Sequence, residues 1–200
     1  NLGRVLTWGE IGCFLSHFRV WEMIANGSEP VLVIEDDAVL TRHLGEVWPH
    51  LGQHDLLYLA HLEMMKKGVV SLTDHLLRPC YPYHTTAYVL TPAGAKKLLD
   101  TDIRHNIIPV DEYLPRMIDK LNVAGFKNQA ARQISRKSLG TDVEPTSELS
   151  FVKDFQTHVL TCGSDGEKMK RLVDSGKEVG ISPIKVIHGK WKGSDMKGPG

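Results

Sequence analysis

Three consecutive carboxylates, Glu35-Asp36-Asp37, follow directly on the apolar run Val31-Leu32-Val33-Ile34. Adjacent like charges repel one another and are costly to desolvate, and a divalent cation offsets that cost. Mg²⁺ or Mn²⁺ is commonly held by one or two carboxylates together with the phosphates of a substrate. Along an extended chain neighbouring side chains point opposite ways, so one of the three would face such an ion at close range and another would be left for sugar or ribose hydroxyls. A solvated acidic turn at the end of a strand is the plain alternative. A second acidic pair, Asp111-Glu112, follows Pro109. It could supply the base that takes a proton from an attacking hydroxyl. It equally suits the first turn of a helix, where carboxylates meet the positive end of the dipole.

Gly9-Glu10-Ile11-Gly12-Cys13 opens a helical pattern. Two glycines there cost helix stability, which close approach of a ligand or of a neighbouring element would explain. A helix N-terminus suits a phosphate, although Glu10 opposes an anion. Ser16 and His17 are adjacent on the same helix and do not face each other. With no strand-turn-helix elbow around the serine, a nucleophile reading is set aside. A buried hydrogen bond or a nucleotide contact is left for them. His61, His75, His84 and His105 read as surface histidines in loops, and no histidine spacing marks a dedicated zinc site. Tyr81-Pro82-Tyr83-His84-Thr85-Thr86 combines aromatic faces with polar groups. That suits a sugar, or a loop packed on the core.

The elements that must position these groups are legible around them. Thr7 followed three residues later by Glu10 is a capping-box pattern. Ile11, Phe14, Leu15, Phe18, Trp21 and Ile24 then recur at helical spacing, until Asn26-Gly27-Ser28 stops the helix. Val31–Ile34 reads as a buried parallel strand that delivers the acidic triplet at its carboxyl end, where open α/β sheets bind ligands. Leu56–Leu59 and Ala87–Leu90 read as further strands. Thr91-Pro92 is an N-cap and first-turn pair opening a helix through Ala95, Leu98 and Leu99. Val110–Leu121 reads as one more helix.

Residues 1–134 therefore read as one α/β domain. The stretch 135–155, rich in Ser, Thr, Lys, Gly and Pro, reads as a linker. A strand at Val159–Cys162, a helix at Glu167–Val179 and a strand at Ile184–Ile187 read as the start of a second α/β module over 156–200. Lys+Arg and Asp+Glu both number 24, so bulk attraction to nucleic acid or to an anionic membrane is not expected. No apolar run reaches the length of a membrane span. Cys13, Cys80 and Cys162 are too few and too scattered for a zinc pattern or a disulfide framework. A start at Asn1 and an end in a Gly/Pro/Lys stretch suggest part of a longer protein.

Several of these pieces together resemble glycosyltransferase family 25. They are Gly9 to His17, Trp21, Val33-Ile34-Glu35-Asp36-Asp37-Ala38, Asp55-Leu56-Leu57-Tyr58, Thr86 to Ala95 and Pro109-Val110-Asp111-Glu112-Tyr113-Leu114-Pro115. The last is similar to the collagen-modifying branch. The resemblance implies a GT-A-like nucleotide-diphospho-sugar transferase fold, N-terminally truncated because the family's first strand is absent. It implies a UDP-sugar donor, usually UDP-galactose, an Mn²⁺ (or Mg²⁺) ion, and inverting transfer of a hexose. The acceptor would be a hydroxyl on a lipooligosaccharide sugar or on hydroxylysine of a collagen-like chain. Asp37 and Asp36 would hold the metal. Gly9, Glu10, Gly12, Cys13, Ser16, His17, Glu35 and Asp36 would line the donor site, and Asp111 or Glu112 would be the base. His158 to Thr161 and Lys185 to Asp195 resemble the opening of the glycosyltransferase domain of lysyl hydroxylases. A non-catalytic sugar-nucleotide or glycan-binding module of the same fold is the rival reading. The resemblance leaves the compartment open between cytoplasm, membrane surface and endoplasmic reticulum lumen.

Overall fold

The first helix begins where the Thr7–Glu10 spacing predicts. The Thr7 hydroxyl accepts the Glu10 backbone N–H at 3.2 Å, and the Glu10 carboxylate accepts the Thr7 backbone N–H at 2.8 Å. This closes a capping box at the start of α1 (Trp8–Ala25). In this computed structural model residues 6–134, 157–161, 170, 173–174 and 184–188 are described. The expected linker, most of the expected helix Glu167–Val179, Cys162 and the Gly189–Asp195 motif lie outside the described residues.

After α1 come β1 (Val31–Glu35), β2 (Ala38–Leu40), a 3₁₀ segment (Arg42–His50) and β3 (Leu56–Glu63). Then follow β4 (Val70–Ser71), β5 (Leu76–Arg78), β6 (Pro82–Leu90), α2 (Pro92–Leu99) and a short 3₁₀ turn (Asp102–Arg104). Next are α3 (Val110–Arg116), β7 (Val123–Phe126), β8 (Ala131–Gln133), β9 (Thr157–Thr161) and β10 (Ile184–His188). Eight strands form one sheet in the order β10-β9-β1-β6-β3-β7-β5-β4, and β2 pairs with β8 in a second, two-stranded sheet. Thr157–Thr161, assigned from sequence to the start of a second module, runs parallel to β1 in the large sheet, with β10 parallel beyond it.

The sheet is mixed. β1 is parallel to β9 but antiparallel to β6, and β3 is antiparallel to β6 and parallel to β7. The expectation of a parallel strand at Val31–Ile34 holds on the β9 side and is corrected on the β6 side. An unbroken apolar run reports burial on both faces and says nothing of neighbour direction. Both faces are indeed covered. Val31 and Val33 pack with Phe14, Phe18, Trp21, Tyr58, Tyr88 and the α2–α3 side chains. Leu32 and Ile34 pack with Leu44, Val47, Leu57, Val89 and Phe126 on the other side.

α2 is anchored as its Thr91-Pro92 start predicts, with the Thr91 hydroxyl accepting the Gly94 N–H at 3.0 Å. Its first turn lies directly on the entry to β3. A Cβ placed on Gly94 would fall 2.4 Å from the Asp55 carbonyl oxygen. Asp55 in turn accepts Lys97 Nζ at 2.6 Å and the Asn122 backbone N–H at 2.8 Å, which ties α2, β3 and the entry to β7 together. α3 stops at Arg116, short of the expected Leu121. Pro115 cannot donate to the Asp111 carbonyl and its ring crowds that group, so the chain leaves the helix within a turn.

Candidate functional site

Alternation along β1 sets the site. Val31 and Val33 face α1, so Glu35, two residues on, lies on that same side at the carboxyl end of the strand. There it meets α1. His17, only 1% exposed, places Nε2 at 3.3 Å from Glu35 Oε1 and Nδ1 at 2.8 Å from the Tyr88 hydroxyl. The Trp21 indole N–H donates to that hydroxyl at 3.0 Å, and the Thr85 hydroxyl donates to Glu35 Oε1 at 2.5 Å.

When the His17 ring is neutral, the direction of this chain of hydrogen bonds follows from its ends; when the ring is protonated, both of its nitrogens donate. An indole can only donate and a carboxylate can only accept. The Tyr88 oxygen therefore accepts from Trp21 and passes its own proton to His17 Nδ1. That leaves Nε2 to carry the N–H that Glu35 accepts. The ring tautomer follows from the partners, and the partners come from α1, β1 and β6. Burial opposes the Glu35 charge. The His17 and Thr85 hydrogen bonds, with the His17 and His84 charges, outweigh it and hold the carboxyl below its ordinary 4.5.

Asp111, at the start of α3, is driven the other way. Burial, then the charge of Glu35, raise its pKa above 3.8, against opposing pulls from His84 and His17. Its Oδ1 is buried without a hydrogen-bond partner. Its neighbour Glu112 is held apart, accepting the Tyr81 hydroxyl at 2.9 Å and the Tyr83 hydroxyl, with Arg116 at 3.8 Å. The two acids that sequence left interchangeable thus have different surroundings. Tyr81 and Tyr83, noted for a sugar-binding look, grip Glu112.

Other expected residues are distributed as follows. Glu10 is engaged by the Thr7 cap, and the Ser16 hydroxyl donates to the Gly12 carbonyl at 2.9 Å within α1. Gly9 is exposed, and a Cβ there would meet nothing nearer than the Thr7 hydroxyl at 3.9 Å. Packing does not demand glycine at that position. Asp36 and Asp37 form the turn between β1 and β2. Asp37 Oδ2 accepts Gln133 Nε2 at 2.8 Å, and its carbonyl accepts the Ile134 N–H at 2.9 Å, so β8 pins the turn. Cys13 Sγ and ligand atoms of His17 and Glu35 all lie within 4.8 Å of one another.

Two of the histidines expected in surface loops belong to strands. His61 is buried in β3, and burial lowers its pKa. A Cβ on Gly125 would sit 2.9 Å from its ring, so the glycine makes room for it. His84 lies in β6 with φ of 76°, the one non-glycine residue at positive φ among the described residues. That backbone costs about 1–3 kcal/mol and is typical of functional sites. Sequence reasoning missed Tyr88 and Tyr58, which cross-strand register brings to the site, and it gave Thr85 only as part of the Tyr81–Thr86 stretch. Val33, Tyr88 and Tyr58 stand opposite one another in three adjacent strands. The available signal was a tyrosine inside an otherwise apolar strand, whose hydroxyl needs a partner once buried.

The arrangement is a polar, titratable cluster at the carboxyl ends of β1 and β3 in a mixed α/β sheet, the place where open α/β sheets bind ligands. The model of "Glycosyltransferase family 25 (LPS biosynthesis protein)" matches residues 1–114, and the chain belongs to that family. It is 40% identical over 129 residues to "Inactive glycosyltransferase 25 family member 3" of Homo sapiens, covering 59% of this chain and 22% of that protein. A "Glycosyltransferase 25 family member" of Anopheles gambiae is 38% identical over 126 residues, 58% of this chain and 21% of its own length. The like-named protein of Drosophila pseudoobscura pseudoobscura is 34% identical over 192 residues, 88% of this chain and 30% of the relative. The chain thus spans under a third of these relatives.

Proposed function

We propose that this chain carries the donor site and the base of a metal-dependent inverting glycosyltransferase in a GT-A-like fold. It would move a hexose, galactose from UDP-galactose, to an acceptor hydroxyl on a lipooligosaccharide sugar or on hydroxylysine of a collagen-like chain. The observation that supports this best is the opposite treatment of two neighbouring acids. Glu35 is held ionised by His17 and Thr85, while Asp111 is pushed upward by burial and by Glu35. Such divergence separates a fixed anion from a proton acceptor.

Asp111 then takes the acceptor proton on Oδ1, the oxygen without a hydrogen-bond partner among the described residues. Glu35, braced by the Trp21–Tyr88–His17 chain, receives donor hydroxyls. Glu112 holds Tyr81 and Tyr83 as an aromatic wall for a sugar face. The exposed backbone at Gly9 leaves room for the nucleotide at the start of α1. The all-oxygen turn suits a hard cation, with Asp37 and Asp36 as its carboxylates. Such an ion supplies charge neutralisation for a diphosphate leaving group.

Titration calorimetry of UDP into the full chain, with and without Mn²⁺, tests the donor site. Binding that requires Mn²⁺ and is lost in Asp37→Asn supports it, and equal affinity in both proteins overturns the metal assignment. UDP release from UDP-galactose in the presence of acceptor, lost in Asp111→Asn, tests the base. The word "inactive" in the name of the Homo sapiens relative favours a second reading, a binding module without turnover. Mn²⁺-dependent UDP binding with no sugar transfer to any acceptor would select it.

A further inference from the structure

Cys13 and His17 stand four residues apart on α1, which puts both side chains on one helix face. Glu35 reaches the same place from the end of β1. One ligand atom from each lies within 4.8 Å of the other two, and His17 Nε2 and Glu35 Oε1 are already 3.3 Å apart. Zinc bonds of about 2.0–2.3 Å in a tetrahedral site place ligand atoms about 3.3–3.8 Å from each other. The cluster is therefore within a small side-chain adjustment of closing on an ion.

We infer that Cys13, His17 and Glu35 form a three-ligand site for a thiophilic divalent ion of the Zn²⁺ type, distinct from the oxygen-only turn at Asp36-Asp37. A thiolate with an imidazole and one carboxylate selects a soft or borderline metal over Mn²⁺ or Mg²⁺. Among the described residues the site offers these three ligands. His17 Nδ1 faces the Tyr88 hydroxyl, which Trp21 orients, and such partners fix the ring of a metal-bound histidine. When Nε2 takes the metal, Nδ1 carries the ring proton and donates it to Tyr88. The thiol releases its proton to solvent on binding.

The bound ion replaces the His17–Glu35 hydrogen bond. Under the proposed transferase reading, it also withdraws Glu35 from the donor. Zn²⁺ is thus an inhibitor acting at the donor site, and this last step rests on that reading.

The test uses Co²⁺ as a spectroscopic stand-in for Zn²⁺, added to the full chain with its thiols reduced. The expected result is a near-ultraviolet thiolate-to-cobalt band that saturates at one equivalent and is reversed by Zn²⁺. Cys13→Ser removes the band, and His17→Gln weakens binding by at least roughly a hundredfold, beyond what loss of an outer-shell partner costs. Cys80→Ser and Cys162→Ser keep the band. Circular dichroism melts confirm that each variant is folded. Asp37→Asn retains the band while losing Mn²⁺-dependent UDP binding, which separates failure of this site from failure of the transferase reading. Absence of a thiolate band in the folded protein, or its survival in Cys13→Ser, overturns the inference.

Discussion

Tyr88→Phe is the most informative single change in this protein. It deletes one oxygen and leaves the ring in place, yet that oxygen serves two buried groups. Trp21 is fully buried and its N–H has the Tyr88 oxygen at 3.0 Å, while His17, 1% exposed, has Nδ1 at 2.8 Å from it. The substitution orphans a donor and an acceptor at once, and each unsatisfied buried group costs about 1–3 kcal/mol. The expected loss is about 2–6 kcal/mol, a large fraction of the roughly 5–15 kcal/mol that holds a domain folded. For a chain of this size that corresponds to a fall in Tm of roughly 4–24 °C. Urea unfolding followed by tryptophan fluorescence measures it, with Trp21 itself as a reporter. Adding Trp21→Phe removes the stranded donor, so the double variant should cost at least about 1 kcal/mol less than the two single losses combined. A Tyr88→Phe protein within about 0.5 kcal/mol of wild type would refute the reasoning, because the hydroxyl would then not be the junction of the relay.

Asp111→Asn should remove transfer and raise stability at neutral pH, seen as a higher urea midpoint. The folded carboxyl has a pKa above its ordinary 3.8, so its ionised form weighs against the fold at every pH above that raised value. By the same sign, the transfer rate in the wild type should fall on acidification at a pH above 3.8, where a free aspartate is still ionised; a pH–rate profile measures the position of that limb. Gly94→Ala should destabilise by about 3 kcal/mol in urea unfolding, although alanine is the better helix former. The added Cβ would meet the Asp55 backbone at 2.4 Å, and overpacking against backbone outweighs a propensity gain of about 1 kcal/mol.

What the sequence disclosed, and what it withheld, follow from how far each signal reaches along the chain. The Thr7–Glu10 box and the Thr91-Pro92 start are contacts over three residues, and both formed as predicted. Glu35, His17 and Asp111 were legible because each sits in a short run with unusual composition. Glu35 could be singled out within its triplet only after the strand's facing was known. Tyr88 and Tyr58 were invisible as site residues because a β-sheet register brings them there. His61 and His84 misled because each is a polar residue close to loop-forming types, Lys66-Lys67-Gly68 after the one and Pro82 before the other. The burial of His61 depends on a β3–β6 pairing with irregular register between Tyr58 and Leu62. The antiparallel neighbour of β1 was missed for a similar reason, since apolarity encodes enclosure and not orientation.

The parallel pairing of β1 with β9 has a consequence for how the molecule is made. Leu32 and Thr157 are partners in that ladder, so among the described residues one flank of the most apolar strand is covered by chain that emerges from the ribosome much later. Contacts of such high sequence separation are slow to form. Until residues 157–161 arrive, Val31-Leu32-Val33-Ile34 presents an open edge with no charge in it, the kind of edge that templates aggregation. A polypeptide ending near Ser150 would keep that edge exposed permanently. Recombinant material truncated there should be recovered mainly from inclusion bodies, while chains extending through His188 carry their own edge cover.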